Sequence, residues 1–345
     1  MGLMEAAPIA TWRSAVQRGV GWLTAQLDAN PPFAGADVDV NWYCKLPWAL
    51  AGAGNRAAAL RALGRVQGEY LETGLVHCPG QTGWTNAVSY ALGWLVVGAR
   101  VAEALGPARK GYEALGKYVC PDTGGLYSVP LERTDESPYF DAAIQGAVIH
   151  AALMMGDLEA ARRAGRTALW FIDHQPDRAA GIYNYFHPKR GYLTEVNDRN
   201  RFQCMFVAGT LPQPYANLGF MLQGLCRLFD ATGDVAFRDG CGRLVDVLLD
   251  DFGPDLLSHS QNHKVAHAML MLWARTGTAR YRDGALRIAP LIAENILPDG
   301  RALADVLGDD IENQTPFFTV RTTCDSVLWL SQICDMLDGC VDNRP

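Results

Sequence analysis

The chain has 345 residues, of which 49% are hydrophobic and 19% are charged, so it has enough apolar material for a large core and is too apolar to be disordered along most of its length. Its 30 basic and 37 acidic residues give a formal net charge of −7, which argues against a nucleic-acid-binding protein with a basic surface. No apolar run is long enough to predict a membrane span, and the amino terminus does not resemble a secretion signal. With nine cysteines at scattered spacings, these features predict a cytoplasmic protein with free thiols.

A hydrophobic period of 3.6 residues recurs along the chain and predicts two alternating kinds of helix, while the alternation typical of strands is almost absent. Amphipathic helices with exposed charges are predicted at Thr11–Asp28, Arg56–Glu72, Ala108–Val119, Leu158–Asp173, Val235–Asp250 and Ala279–Glu294. Helices that are apolar on nearly every face are predicted at Trp42–Gly52, Thr85–Glu103, Tyr139–Met155, Pro214–Ala231, Gln261–Thr276 and Thr322–Leu337. Because the second set lacks a polar face, we expect it to be buried inside the first.

The connections between these helices differ in length. Short glycine-centred turns, such as Met155–Asp157 and Thr276–Thr278, join each buried helix to the next amphipathic one. The return connections are long: Thr73–Gly83, Cys120–Pro138, Gln175–Gln213, Asp251–Ser260 and Leu297–Arg321. The long connections therefore meet on one face, at the amino-terminal ends of the buried helices. Unsatisfied N–H groups there favour an anionic group on a small-molecule substrate, unless loop carboxylates cap these ends instead.

Six buried helices alternating with six amphipathic ones resemble the (α/α)6 toroid proteins. The resemblance is carried by residues 213–249, QPYANLGFMLQGLCRLFDATGDVAFRDGCGRLVDVLL, and 41–63, NWYCKLPWALAGAGNRAAALRAL. It implies an all-α fold, one toroid domain over residues 1–345, and a pocket on the long-loop face beneath a lid-like loop at 176–212. The superfamily includes sugar 2-epimerases, six-hairpin glycosidases, terpenoid cyclases and a linalool dehydratase-isomerase, so the resemblance leaves the activity open.

Three aspartates are candidate general acids. Asp39 lies in DVDVNWYCK with Tyr43, and Asp141 and Asp325 interrupt apolar helices. A carboxyl group in an apolar cavity gains proton affinity and can protonate an alkene or a hydroxyl group. The first segment resembles the DxDD motif of class II terpene cyclases without its last Asp. The alternative for these aspartates is helix capping or another structural role.

Histidines provide the candidate bases. His259, His263 and His267 have the spacing of one helical face, and we expect His263 and His267 to be catalytic. The segment resembles the Asn-x-x-Met-His-x-x-Glu element of epimerases with this fold. Asn262 and His267 match it loosely, the Met is replaced by Ala266, and no Glu follows. A structural role for each single histidine is the alternative.

Substrate-binding candidates are aromatic, basic or polar residues near the expected pocket. They are Trp42, Lys45, Trp84, Asn86, Tyr90, Tyr139, Arg199, Tyr215, Arg321 and Cys324. Aromatic side chains, including Trp48, Phe220 and Trp329, would stabilise a carbocation through cation–π contacts. Lys189, Arg199 and Arg321 would hold an anionic end of the substrate. The alternatives are core aromatic residues and a solvated loop.

An acidic cluster supplies the candidate metal ligands. Asp309, Asp310 and Asn313 in DDIEN resemble the DDxx(D/N) motif of class I isoprenoid enzymes, which implies a Mg²⁺-bound diphosphate. No organic cofactor is expected.

These features favour a biosynthetic cyclase or lyase/isomerase, similar to a non-canonical terpene cyclase, acting by acid–base and carbocation chemistry on an isoprenoid-like or other lipophilic substrate. The alternative is a carbohydrate-active enzyme, either a sugar 2-epimerase or a glycoside hydrolase. A toroid that only binds a partner is a further alternative. The sequence leaves the oligomeric state open.

Overall fold

The computed structural model describes residues 6–29, 44–66, 88–135, 138–195, 204–209, 215–303 and 316–342. Outer helices in these ranges are α1 (Ala6–Asp28), α3 (Arg56–Val66), α5 (Leu105–Leu115), α7 (Leu158–Asp173), α9 (Val235–Asp251) and α12 (Ala279–Asn295). Inner helices are α2 (Leu46–Gly52), α4 (Val88–Val101), α6 (Ala142–Met155), α8 (Ala216–Thr232), α11 (His263–Thr276) and α13 (Pro316–Asp342). The connections contain α10 (Gly253–Leu256) and 3-10 turns at Gly116–Tyr118, Leu131–Arg133 and Ser260–Asn262.

The inner helices form a closed ring. Each packs against the next along the chain, and α13 packs against α2 to complete the circle. Their composition requires this position, because an apolar helix such as α6, buried continuously from Ala142 to Ala152, has no face to offer to water. The outer helices cover the ring with their apolar stripes. The predicted all-α arrangement of six inner and six outer helices is therefore confirmed.

Glycine residues end the inner helices and start the turns to the outer helices. Helix α6 ends at Gly156 and α11 ends at Gly277, with φ angles of 77° and 71° in the left-handed region that residues with a Cβ seldom adopt. After Gly156, the Asp157 side chain accepts a 3.0 Å hydrogen bond from the Ala160 N–H and starts α7. These tight turns confirm the predicted antiparallel helix pairs.

Part of the expected lid is a small sheet and not a solvated loop. Strand β3 (Tyr185–His187) pairs antiparallel with β1 (Phe140–Asp141) and β4 (Gly191–Tyr192). A second antiparallel pair joins β2 (Ile182–Tyr183) to β5 (Met205–Phe206). The sequence did not predict these strands, because an alternating hydrophobic pattern cannot be recognised over only two or three residues.

Lys189, in the turn between β3 and β4, is exposed and pairs with Asp122 at 2.5 Å. Its ammonium group is therefore engaged at the surface, which corrects the expectation that it holds a substrate. No described helix is long and apolar enough to cross a membrane.

Candidate active site

Three charged side chains from three inner helices meet inside the ring. Asp325 lies on α13, between α2 and α11, and each of its carboxylate oxygens faces a lysine of one neighbour. Oδ1 lies 2.5 Å from Nζ of Lys45, which precedes α2, and Oδ2 accepts a 2.9 Å hydrogen bond from Nζ of Lys264 in the first turn of α11. All three side chains are at most 5% exposed. We call Lys45, Lys264 and Asp325 the ion cluster.

Burial and mutual attraction set the charges in the ion cluster. Burial disfavours each charge, but the two lysines hold the pKa of Asp325 well below its usual range, so its carboxylate stays ionised. Burial also opposes the charge of Lys45, yet the close Asp325 carboxylate outweighs it and raises the pKa of Lys45. For Lys264, the more distant lysine, burial dominates and lowers the pKa to about 7.

His263, at the start of α11, lies against the ion cluster. Its side chain is fully buried, and neither ring nitrogen has a hydrogen-bond partner in the part of the chain that the structure describes. Burial and the neighbouring Lys264 hold its pKa well below the usual value. The imidazole is therefore neutral, with one N–H to donate and one nitrogen to accept.

Phe220 of α8 lies beneath both ammonium groups. Its ring centroid is 5.4 Å from Nζ of Lys45 and 4.9 Å from Nζ of Lys264, within the range of a cation–π contact. Tyr90, partly buried on α4, places its ring centroid 5.7 Å from Nζ of Lys45. Arg321, one turn before Asp325 on α13, adds a further positive charge whose repulsion acts on both lysines.

Helix α8 positions Lys264 through its backbone. The Gln223 side-chain amide donates a 2.7 Å hydrogen bond to the Lys264 carbonyl. One turn earlier, Gly219 lets the two helices approach so closely that an added Cβ would lie 2.6 Å from the Lys264 backbone carbonyl carbon. The position of Lys264 therefore depends on the absence of a Cβ atom at Gly219 of α8.

Gly219→Ala is therefore expected to push α11 away from α8 and to lower the free energy of unfolding by about 1–3 kcal/mol, the usual cost of overpacking. Gly64→Ala is the matched control, since Gly64 is exposed within α3 and an added Cβ meets nothing within 4 Å. It should stabilise the protein by about 0.5–1 kcal/mol through helix propensity. Urea unfolding measures both. Equal effects of the two substitutions would contradict the close approach at Gly219.

Below the ion cluster the ring is filled by an aromatic layer. Its members are Trp48, Trp94, His150, Phe220, His267 and Trp329. Trp94 lies 5.4 Å from Trp48 and 4.5 Å from Phe220 between ring centroids, and Trp329 lies 5.2 Å from Trp48. At these distances the rings pack against one another. They therefore form a packed layer inside the ring, while the open carbocation cavity that the sequence suggested stays a prediction, since Trp42, Tyr43 and Trp84 lie outside the described residues.

The structure corrects the expected role of Asp325 and the expected position of Asp141. Asp325 is buried as expected, but because two lysines keep it ionised it is unsuited to be a general acid. Asp141 does not interrupt a helix: it is the N-cap of α6, where Oδ1 accepts hydrogen bonds from the Ala143 and Ile144 N–H groups and Oδ2 accepts one from Asn184. Capping accounts for a carboxylate at this position. Burial nevertheless raises the pKa of Asp141, so its role as a general acid stays a prediction.

The three histidines do not share one helical face. His259 lies before the 3-10 turn with an extended backbone, and α11 begins only at His263. His267, one turn further along α11, belongs to the aromatic layer with its ring centroid 5.6 Å from Trp329. Burial holds its pKa well below the usual value. Of the expected histidine bases, only His263 adjoins the ion cluster.

Other expected binding residues are dispersed. Tyr215 packs between Phe206 and Phe252, and Tyr139 lies just before β1. Cys324 is buried beside Asp325, and burial raises the pKa of its thiol well above the usual value, so it stays protonated. Seven cysteines in the described ranges are free thiols, as predicted, and all seven are buried: Cys44, Cys120, Cys204, Cys226, Cys241, Cys324 and Cys334.

Several candidates lie outside the described residues and stay predictions. They are Asp39, Trp42, Tyr43, Trp84, Asn86, Arg199, Asp309, Asp310 and Asn313. The Mg²⁺ site expected at DDIEN is among them. Among the residues that the structure does describe, no three His, Cys, Asp or Glu side chains are grouped to hold a metal ion.

Sequence reasoning missed Lys264, although the signal was present. A lysine in the first turn of an apolar helix faces both desolvation and the positive end of the helix dipole. The same reasoning that selected Asp325, a charged residue on an apolar helix, applies to HKVAHAMLML.

No protein family matches the chain, and no curated protein matches it in sequence. Solved structures do match in fold. The α-1,6-mannanase from Salegentibacter sp. HEL1_6 has a TM-score of 0.61 at 12% identity, covering 94% of this chain and 99% of its own. Unsaturated glucuronyl hydrolase from Bacillus sp. GL1 has a TM-score of 0.61 at 12% identity, covering 93% and 96%. A D-mannose isomerase has a TM-score of 0.61 at 11% identity, covering 92% and 97%.

The chain thus has the (α/α)6 toroid fold over nearly its whole length, as the resemblance implied. At identities this low the match establishes the fold and not the activity.

Proposed function

We propose that this protein is a carbohydrate-active enzyme that moves protons on an open-chain sugar, as a sugar isomerase or 2-epimerase does. The observation that carries the proposal is the buried ion cluster with the neutral His263 beside it. The solved structures with the same fold support the carbohydrate alternative over the isoprenoid one, because they are a mannanase, a glucuronyl hydrolase and a mannose isomerase.

Lys264 is the proposed base. With a pKa of about 7 it is partly a neutral amine near pH 7, and it can take the proton from carbon 2 of an aldose. The electron pair of the broken C–H bond forms the C1–C2 double bond, and negative charge develops on the carbonyl oxygen. Asp325 then holds the resulting Lys264 ammonium in place.

His263 is the proposed stabiliser of that oxygen, beside Lys45, which remains a cation because its pKa is raised. A neutral imidazole such as His263 can polarise the carbonyl by donating its N–H. When the proton returns to carbon 1, the carbon-2 hydroxyl passes its proton to the oxygen of carbon 1 and the ketose forms. Return of the proton to the other face of carbon 2 yields the epimer.

Glycoside hydrolysis is the second candidate, because two of the structures with this fold belong to hydrolases. It requires one protonated and one ionised carboxyl group. Asp325 is held ionised, whereas burial raises the pKa of Asp141, so Asp141 is the one of these two that suits the protonated role. A hydrolase would therefore need a second carboxyl group from outside the described residues, such as Asp39 or Asp309.

Proton exchange tests the proposal. The protein is incubated in D₂O with a panel of aldoses and ketoses, and NMR follows deuterium at carbon 2 and the appearance of isomers. A parallel panel of nitrophenyl glycosides reports hydrolysis, and each assay is repeated with a chelator to test the Mg²⁺ prediction. We expect exchange with at least one sugar. Hydrolysis without exchange would overturn the proposal in favour of the second candidate, and binding without either reaction would favour a binding protein.

A further inference from the structure

The ion cluster holds more positive than negative charge while Lys264 is protonated, a state that its pKa of about 7 keeps populated near pH 7. Lys45 and Lys264 share the single carboxylate of Asp325, one oxygen each, and both lysines are nearly inaccessible to water. The other titratable groups that act on the cluster are His263, Tyr90, Cys44, Cys324 and Arg321. His263 is neutral, and burial raises the pKa of Tyr90 and Cys324. Among the described residues around the two lysines, Asp325 is the one ionised carboxylate.

The cluster also offers hydrogen-bond donors in excess of acceptors. Each ammonium group has three N–H donors, and Asp325 engages one oxygen with each. His263 adds an imidazole that is fully buried and has no partner within the described ranges. A buried donor without an acceptor is costly to folding. A group that carries negative charge and several acceptor oxygens would satisfy both the charge and the donors.

We propose that the substrate of this site is an acidic sugar, whose carboxylate or phosphate group binds at Lys45. This inference rests on the proposed function and names the class of sugar it acts on. Carboxylates and phosphates share the required chemistry of a compact anion with two or more acceptor oxygens. The hydroxyl groups of a neutral sugar can accept hydrogen bonds from the same donors but do not offset the second lysine.

Binding measurements on the full chain test this inference. Isothermal titration compares D-glucuronate and D-galacturonate with D-glucose and D-galactose, and compares D-mannose 6-phosphate with D-mannose. We expect at least one acidic sugar to bind with a Kd about 100-fold lower than its neutral counterpart. The uronates and the phosphate distinguish the two sources of negative charge. Equal affinity for acidic and neutral sugars in every pair would overturn the inference.

Variants locate the anion. Lys45→Met should abolish the preference for the acidic sugar, whereas Lys45→Arg, which keeps the charge, should retain most of it. Lys189→Met is the matched control, because Lys189 pairs with Asp122 at the surface, and it should change nothing. Circular dichroism establishes that each variant is folded. If Lys45→Met does not fold, Lys45→Gln, which keeps a polar side chain without the charge, takes its place with the same expected loss of preference. A preference that survives in folded Lys45→Met would overturn the assignment to Lys45.

The deuterium exchange assay separates the two proposals. Exchange at carbon 2 of neutral sugars without preferential binding of acidic ones would refute the acidic-substrate inference and leave the proposed function standing. Tight binding of acidic sugars without exchange or isomerisation would refute the proposed function and leave an anionic sugar-binding site.

Discussion

Asp325→Asn is expected to lower the free energy of unfolding by about 3–5 kcal/mol at pH 7, because it leaves two buried lysines without their counter-charge. Such a loss is a large part of the roughly 5–15 kcal/mol that stabilises a typical domain. Urea unfolding followed by circular dichroism measures it. The matched control is Asp173→Asn, which removes one partner of the half-exposed Asp173–Arg243 pair and should cost less than about 1 kcal/mol.

The pH dependence of the same variant provides a second check. The pKa of Asp325 is lower in the folded than in the unfolded protein, so its stabilisation is present above the unfolded value and is lost as the pH falls through that range. The difference between wild type and Asp325→Asn should therefore shrink below about pH 4. Adding Lys264→Met removes one of the two uncompensated charges and should recover part of the loss. Equal destabilisation by Asp325→Asn and Asp173→Asn would contradict a buried ion cluster.

The sequence predicted the rings of helices because the signals for them are local. Hydrophobic periodicity predicted α7 at its observed bounds, Leu158–Asp173, and glycines marked the carboxyl-terminal ends of α6, α8 and α11. The amino-terminal ends were harder to predict. Helix α13 begins at Pro316 and not at Thr322, since the long connections entering inner helices carry no comparable stop signal.

The chemistry of the site was only partly predictable, because it depends on contacts between distant parts of the chain. An aspartate on an apolar helix predicts a raised proton affinity when it is considered alone. Two lysines from neighbouring segments reverse that prediction for Asp325, whereas burial raises the pKa of Asp141 although Asn184 and the start of α6 engage its carboxylate. Which lysine meets which carboxylate is set by the order of helices in the ring, which periodicity does not specify.

The aromatic residues illustrate the same limit. Trp48 and Trp329 were correctly expected to lie inside the ring, since apolar helices must turn their large side chains inward. How such rings meet depends on contacts between distant parts of the chain, as the edge-to-face packing of Trp48 and Trp329 with centroids 5.2 Å apart illustrates.

Lys264→Met is expected to reduce turnover by about 10²–10⁴-fold, the usual contribution of a positioned general base. The wild-type rate should rise with pH through about 7, because the reaction needs the neutral amine and the pKa of Lys264 is about 7. The variant should keep a low rate without that rise. Lys264→Arg, which stays protonated, should be equally inactive. Steady-state isomerisation or carbon-2 exchange between pH 5.5 and 9 measures these profiles.

Stability distinguishes this catalytic role from a structural one. Because the pKa of Lys264 is lower in the folded protein than the unfolded value of 10.5, the unfolded chain binds more protons between about pH 7 and 10. The contribution of Lys264 to stability therefore rises with pH in that window, and Lys264→Met should abolish this rise while leaving Lys45 to neutralise Asp325. If Lys264→Met is inactive yet as stable as the wild type at pH 7, the role of Lys264 is catalytic and not structural. A stable variant with normal turnover and an unchanged pH profile would place the base elsewhere, with His263 as the nearest candidate.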